Sequence, residues 1–451
     1  MTKDRNSLSK SGTKIALLKL VNVGYRNIFH EEMTEGVKTF LKNLLYVGAG
    51  TVISAFCTSV VSILGGRWLG PKEYGQFILI QSVAMFLYIP MELGYNTTML
   101  KYISERTDYQ RQSNIITGTL LLALLLTAVS FIVYFFIAST LSRLFAIPVN
   151  LFYLAVVFAA LFVFYSLTTA ALRGLNRMLA YAVFQIVFGS VVLLSFLAFI
   201  LDRQFSFRTM TYPMMLAYGT VIILIFIFFI RKLAKWNFDI ALYRMLSRYS
   251  LFSVLAGLSY IFYTNIDRIM IGRFLTVADV GIYAAYYTAS INIAGLFWNM
   301  FNLIFFPTIS GYKNKVSIFQ KINKFIPYML ALGIPCLFIC EYIVLKLYGG
   351  KYAPDTFLML YFSIGSIIIV IDGLYGSLLL AIGLRGARIT SFAAVVIAIV
   401  NFGLNFILIP KYGITGAIIS LVISYSVSIV LKLWIGRDYL RKSTDQETYN
   451  V

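Results

Sequence analysis

Of the 451 residues, 60% are hydrophobic and 12% charged, with a net charge of +20 and three cysteines. That apolar fraction exceeds the globular norm and falls in long uncharged runs, which excludes an ordinary soluble enzyme and points to a polytopic membrane protein. No soluble domain of useful size fits between the runs, so the positive charge reads first as membrane topology and not as a nucleic-acid footprint.

Residues 1–42 precede any apolar run and are rich in Lys and Arg. Within them, residues 14–29 (KIALLKLVNVGYRNIF) mix apolar and basic side chains. They suit either an interfacial helix on anionic lipid or a solvated basic tail. The first apolar run is too long and begins too late for a cleavable signal, so it is expected to act as the insertion signal itself. The hydropathy pattern predicts an all-α chain of about twelve transmembrane helices. Six fall at 43–65, 75–94, 113–138, 148–171, 180–201 and 211–230; six more fall at 249–272, 281–309, 324–347, 356–382, 388–410 and 413–436. Residues 43–230 and 249–436 are thus two candidate lobes, joined by a cytoplasmic linker at 231–248 with five basic residues and followed by a tail at 437–451. With both termini in the cytoplasm, 28 of the 38 Lys and Arg fall inside, nine outside, and Arg268 within a span. That threefold bias is the one expected of cytoplasmic loops. The outer loops are about six to twelve residues long, so no exported domain is left to hold a catalytic site.

Cys57, Cys336 and Cys340 all lie in predicted spans and are expected to be packing residues without disulfides. His30 stands alone with no cysteine cluster, which gives no transition-metal site.

The loop at residues 272–283, GRFLTVADVGIY, repeats residues 66–77, GRWLGPKEYGQF, 206 positions earlier. Gly66, Arg67, Leu69 and Gly75 recur as Gly272, Arg273, Leu275 and Gly281; Glu73 recurs as Asp279 and Phe77 as Tyr283. The span before the second copy carries Ser253, Gly257, Tyr260, Thr264 and Asp267 at helical spacing on one face. Moved back by the same offset, Tyr260, Thr264 and Arg268 land on Ser54, Thr58 and Ser62, which form an i, i+4, i+8 stripe on the first span. Such stripes either glue helices together or line a polar cavity. Two of them at equivalent positions of a repeat, one with an ionic Asp267–Arg268 dipeptide, favour a cavity where two similar halves meet.

Charges inside spans are costly, about 2.5–3.5 kcal/mol each at mid-helix, and are functional candidates for that reason. Asp267 and Arg268 sit about 100° apart on a helix and do not make an ideal mutual pair, so each needs another partner. Arg268 reads as an anion contact, with Asp267 as its support or as a proton or cation site; the competing reading is a structural ion pair to a neighbouring helix. Asp372, near mid-span, is a candidate for coupling by protonation, and Glu92, before Gly94, for a gate. Glu341, five residues before Lys346, reads as a carboxylate snorkelling to the interface. Tyr260, Tyr263, Tyr286 and Tyr287 could stack on sugars or serve as membrane-belt and packing residues. No phosphate-cradling glycine loop is present, and no paired carboxylates sit on a soluble loop, so a passive or ion-coupled carrier without cofactors is expected.

Three segments resemble the polysaccharide transporters of the multidrug/oligosaccharidyl-lipid/polysaccharide flippase superfamily, the group that includes Wzx-type O-antigen flippases. They are residues 66–77, residues 91–105 (MELGYNTTMLKYISE) and residues 401–420 (NFGLNFILIPKYGITGAIIS). The last is the most specific, with Asn401, Asn405, Pro410, Gly413, Gly416 and Ala417 in the family's arrangement; the Asp-Arg pair before residues 272–275 also matches. Twelve spans suit the polysaccharide branch, whereas the superfamily's lipid II flippases usually carry fourteen. The basic N-terminal extension departs from the pattern.

The resemblance implies two six-helix lobes in a V, related by a pseudo-twofold along the membrane normal, around a cavity that opens to either side in turn. It implies a substrate too: a polyprenyl-diphosphate-linked oligosaccharide, flipped across a prokaryotic plasma membrane for cell-surface polysaccharide assembly. The expected partners are that lipid-linked substrate, the lipid bilayer and glycan assembly enzymes, with no nucleic acid. Two other functions compete. One is ion-coupled multidrug efflux within the superfamily; the other is a polysaccharide polymerase or ligase, for which the expected large exported loop is missing.

Overall fold

Long apolar segments in a bilayer must satisfy their backbone groups internally, and here they do so as helices. The computed structural model describes residues 35–105, 108–201, 205–233, 240–311 and 315–442, and contains no strand among them. Residues 14–29 and His30 lie outside the described residues, as do 234–239 of the predicted linker and 443–451 of the tail.

The first lobe runs α1 (Glu35–Leu69), α2 (Pro71–Glu92), a short α3 (Tyr95–Ser104), α4 (Tyr109–Leu144), α5 (Val149–Gly174), α6 (Met178–Leu201) and α7 (Arg208–Leu233). The second begins with α8 (Ile240–Phe274). Helix α9 (Val277–Tyr287) passes through a π-helical turn, Thr288–Asn292, into α10 (Ile293–Gly311). Helix α11 (Lys315–Tyr328) likewise passes through Met329–Gly333 into α12 (Ile334–Tyr348), and α13 (Thr356–Leu380), α14 (Leu384–Tyr412) and α15 (Ile414–Lys442) complete it. Helix α1 begins inside the predicted N-terminal segment, α8 inside the predicted linker, and α15 extends into the predicted tail.

Among the described residues, eleven helical segments are long and apolar enough to cross a membrane, and they match eleven of the twelve predicted spans. The twelfth, predicted at 249–272, is part of α8. That helix forms, and it is not among the eleven; its last eighteen residues carry Asp267, Arg268 and Arg273. Phe135 and Phe136 of α4 are 66% and 78% exposed, as suits side chains facing hydrocarbon.

Within the first lobe α1 packs along α6, and α2 and α7 on α5. The α1–α6 contact is close because Gly50 lies against the Ala182 backbone and Gly189 against Ser54, where a Cβ would meet Ser54 Cα at 2.7 Å. In the second lobe α14 packs on α15 and α8, and α13 on α15.

The repeated loop has the same form in both copies, a helix, a tight turn and a second helix. Gly70 ends α1 at φ +82°, a left-handed conformation that favours glycine, and Pro71 opens α2. In the second copy Thr276 and Asp279 form a reciprocal capping box at the start of α9. The two lobes meet along α2 and α9. A Cβ on Gly75 would strike the Val277 carbonyl and lie 3.0 Å from Gly281 N; one on Gly281 would strike the Pro71 carbonyl and lie 3.0 Å from Gly75 N. Pro71 and Val277 are themselves repeat partners, so the contact is the isologous one a pseudo-twofold requires.

Candidate functional site

A cavity of about 190 Å³ lies where the lobes meet. Thr58 and Ser62 on α1 and Gln81 on α2 line the first-lobe wall, with Met210 and Met214 of α7 as its apolar part. Arg268 on α8 and Thr288 and Asn292 of the π-helical turn line the opposite wall. Arg268 is the single charged residue among the fifteen that line it.

The side chain of Arg268 is held from two sides. Its guanidinium carbon stands 4.8 Å from the centroid of Tyr287, and Nη1 donates to Asn265 Oδ1 at 3.5 Å. Its Nε is buried without a hydrogen-bond partner. A guanidinium carries five donors, and a ring face and one long hydrogen bond leave most of them free for an anionic ligand.

One residue earlier on the helix, Asp267 turns away from the cavity into the second lobe. It is 2% exposed and accepts from Tyr283 Oη at 2.8 Å and from Asn405 Nδ2 at 2.5 Å. Asn405 also donates to Asn401 Oδ1 at 3.1 Å, so both asparagines of residues 401–420 belong to this network. The two members of the dipeptide therefore do separate jobs: Arg268 faces the cavity, and Asp267 joins α8 to α9 and α14.

Beside the α1–α2 turn the cavity is closed by a knot of hydroxyls. Ser62 Oγ lies 2.6 Å from Tyr74 Oη and 3.0 Å from Tyr348 Oη, and the two phenols are 3.3 Å apart. Beyond the knot, two repeat-related arginines reach across in opposite directions. Arg67, ending α1, donates to Leu347 O at 3.4 Å in the last turn of α12. Arg273, ending α8, donates to Leu144 O at 3.1 Å and Arg143 O at 3.5 Å in the last turn of α4. Each guanidinium thus meets carbonyls at a helix C-terminus, where unsatisfied acceptors and the dipole favour a cation.

Of the other sequence candidates, Ser54 is buried against Gly189, and Thr58 Oγ1 also bonds the carbonyls of Ser54 and Ala55 at 3.1 and 3.0 Å. Thr264 Oγ1 donates to Tyr260 O at 2.7 Å and accepts from Asn265 Nδ2 at 2.9 Å. Tyr260 is 61% exposed and does not line the cavity. Glu92 is buried and accepts from Ser166 Oγ at 2.9 Å. Asp372 is buried in an ion pair with Lys432 Nζ at 2.7 Å, and Ser428 Oγ donates to the same carboxylate oxygen at 2.7 Å. Glu341 does not snorkel. It is fully buried and accepts from Ser363 Oγ at 3.1 Å, because it points across α12 toward α13 and not along the membrane normal.

Sequence reasoning passed over Lys432, Gln81, Thr288 and Asn292. The last three are uncharged polar residues in predicted spans, and a search for all polar residues in spans, not only charged ones, would have found them.

Residues 40–313 match the profile of a family described as polysaccharide biosynthesis protein. The chain belongs to that family. A relative in Haloferax volcanii, named a probable low-salt glycan biosynthesis flippase Agl15, is 29% identical over 196 residues, 42% of this chain and 41% of that protein. The capsular polysaccharide biosynthesis protein CapF of Staphylococcus aureus is 26% identical over 174 residues, 37% of this chain and 43% of its own length. The matched stretch thus spans about two-fifths of each of these family relatives. In fold, the chain is similar to an inward-facing multidrug resistance transporter of the MATE family, with a TM-score of 0.64 over 90% of this chain and 96% of that one at 15% identity. An outward-facing form of a MATE family transporter gives 0.59, with 92% of this chain and 100% of that one covered at 15% identity. The chain therefore has the two-lobed, all-helical fold of those transporters.

Proposed function

We propose that the protein is a flippase for a lipid-linked oligosaccharide with an anionic, diphosphate-type headgroup, working in cell-surface glycan assembly. The observation that carries this reading is the charge of the central cavity: Arg268 is its single charged lining residue, and no carboxylate lines it. A carrier of organic cations needs the opposite sign. The family and the glycan flippase relative support a transporter in preference to a polymerase or ligase.

The job fits the lining. A sugar hydroxyl moved unpaired into hydrocarbon costs about 4–8 kcal/mol, so an oligosaccharide does not cross unaided. Thr58, Ser62, Gln81, Thr288 and Asn292 offer replacement partners while the polyprenyl tail remains in lipid. Arg268 binds the diphosphate, and Thr264, Tyr260 and Ser54 support α8 and α1 around it. With both termini in the cytoplasm, the closed end at Ser62, Tyr74 and Tyr348 faces outward, in a prokaryotic plasma membrane. An interior-negative potential then favours export of the anion by about 2.3 kcal/mol per charge per 100 mV. The cavity's volume, about 190 Å³, is below the roughly 300–1,000 Å³ of small-ligand sites, so the lobes separate to admit an oligosaccharide, as alternating access requires. Residues 43–230 and 249–436 move as the two bodies about the 231–248 junction.

The test is a strain lacking the gene. Its lipid-linked glycan is expected to accumulate on the cytoplasmic leaflet, with recovery on return of the wild type and none with Arg268→Ala. Unchanged surface glycan together with new sensitivity to cationic drugs would overturn the assignment.

A further inference from the structure

We propose that Glu341 forms a proton-binding site inside the second lobe, linked to the central cavity through the π-helical turn Thr288–Asn292. Glu341 is 0% exposed, and its Oε1 is buried without a hydrogen-bond partner. The ion pairs among the described residues are Lys101–Glu105 and Lys432–Asp372, so no cation offsets a charge on Glu341. A carboxylate enclosed without a counter-charge is far costlier than the neutral acid.

The hydroxyls around it are compatible with the same protonation state. Ser363 Oγ donates to Glu341 Oε2 at 3.1 Å. Ser366 Oγ is placed to donate to Phe362 O at 2.8 Å and lies 2.7 Å from Ser290 Oγ, a bond in which either hydroxyl can be the donor. With Ser366 donating to Phe362, Ser290 gives its one proton to Ser366 and offers the Glu341 carboxyl beside it only lone pairs. The neutral acid suits that arrangement. When the acid releases its proton to water, Oε1 becomes an acceptor without a donor, and the Ser290 hydroxyl turns from Ser366 to supply one.

That turn breaks the Ser290–Ser366 bond between the π-helical segment and α13. Thr288 and Asn292, two residues to either side of Ser290, line the cavity. The proton on Glu341 is therefore read in the cavity through one turn of backbone, and single π-helical turns of this kind recur at functional sites.

The other titratable groups nearby are already engaged. On α9, Tyr286 Oη donates to Ala353 O and accepts from Asp355 N, and Asp355 accepts from Leu358 N to cap α13. Helix α1 brings Arg67, which is bonded to Leu347 O at the end of α12. On α12 itself, Lys346 lies over the Tyr342 ring at 5.4 Å, and Cys340 is the neighbouring residue. Neither π-helical turn contributes an ionisable side chain.

The experiment uses the full chain in lipid nanodiscs. Infrared difference spectra between acidic and alkaline buffer are expected to show a carboxylic C=O band that disappears as pH rises. It should be absent in Glu341→Gln and displaced in Ser363→Ala, and it should persist in Glu92→Gln. A fluorophore on Asn292→Cys is expected to respond to the same pH change, and to lose that response when Glu341→Gln is added. Should Glu341→Gln fail to fold, the displacement in Ser363→Ala still identifies the band. Absence of a titrating band from Glu341, or a label insensitive to pH in the otherwise native chain, overturns the proposal. So does a band removed by sodium at constant pH and unmoved by pH in sodium-free buffer, which makes the pocket a cation site.

Discussion

Gly75 and Gly281, one repeat apart in sequence, press against each other's helices where the two lobes meet, each with its partner's backbone nitrogen 3.0 Å from the place its own Cβ would occupy. A methyl group at either position has backbone in its way and no flexible side chain that can yield. Overpacking of this kind costs typically about 1–3 kcal/mol, relieved here by parting α2 from α9. Gly75→Ala and Gly281→Ala are each expected to move the closed population toward separation by roughly ten- to a hundredfold. A cysteine at Ser62, beneath the contact, should then react faster with an impermeant maleimide added on the side of the α1–α2 turn. An unchanged rate in both variants would mean that the contact does not hold the lobes closed.

Arg67 and Arg273 extend the same symmetry to side chains, and their bonds to helix-terminal carbonyls cross between lobes. Both arginines are exposed, so removing either one is expected to cost less than about 1 kcal/mol. The two clamps share no partner, so their effects should add. The double variant Arg67→Ala with Arg273→Ala should show a larger widened fraction than either single one in spin-label distances between Trp68 and Lys351. A double variant no wider than the singles would leave closure to the Ser62–Tyr74–Tyr348 knot alone.

Most of the fold is legible because hydrophobic runs are set by bilayer thickness, and the repeat of residues 66–77 at 272–283 announces the twofold. Depth along a helix can be read from sequence in this way; the direction a side chain faces cannot. Tyr260 and Thr264 share a stripe with Asp267, yet Tyr260 is 61% exposed while Asp267 is buried. Glu341 lies near a span end and still points inward, because its neighbours on α13 are serines. Lys432 stands near the cytoplasmic end of its span, where a lone lysine ordinarily snorkels. Its partner Asp372 is 60 residues away in sequence, and nothing local to either residue announces the pair.

Separation of Asp267 from Arg268 predicts different phenotypes for adjacent residues. Arg268→Ala should abolish glycan export with normal protein levels, since its guanidinium has no strong bond within the fold. Arg268→Lys keeps the charge without the planar fork and should retain partial activity. Asp267→Asn replaces an acceptor that receives from both Tyr283 and Asn405, and the new amide sets a donor against one of those two donors. A cost of about 1–3 kcal/mol is expected, seen as a lower melting temperature in detergent, with export per folded molecule retained. A reversal, with Asp267→Asn inactive but fully stable, would move the carboxylate into the transport step.

Lys432 and Asp372 are the one buried ion pair among the described residues, with side chains 4% and 11% exposed. Lys432 Nζ also reaches Asp372 O at 3.2 Å. Removing one partner leaves an uncompensated charge, which costs about 3–5 kcal/mol, whereas replacing both with apolar residues of similar size is often close to neutral. Thermal unfolding should therefore show Lys432→Met and Asp372→Leu each strongly destabilised, and the double variant recovering most of the loss. If export also returns in the double variant, the pair is structural. If stability returns without export, Asp372 takes part in transport.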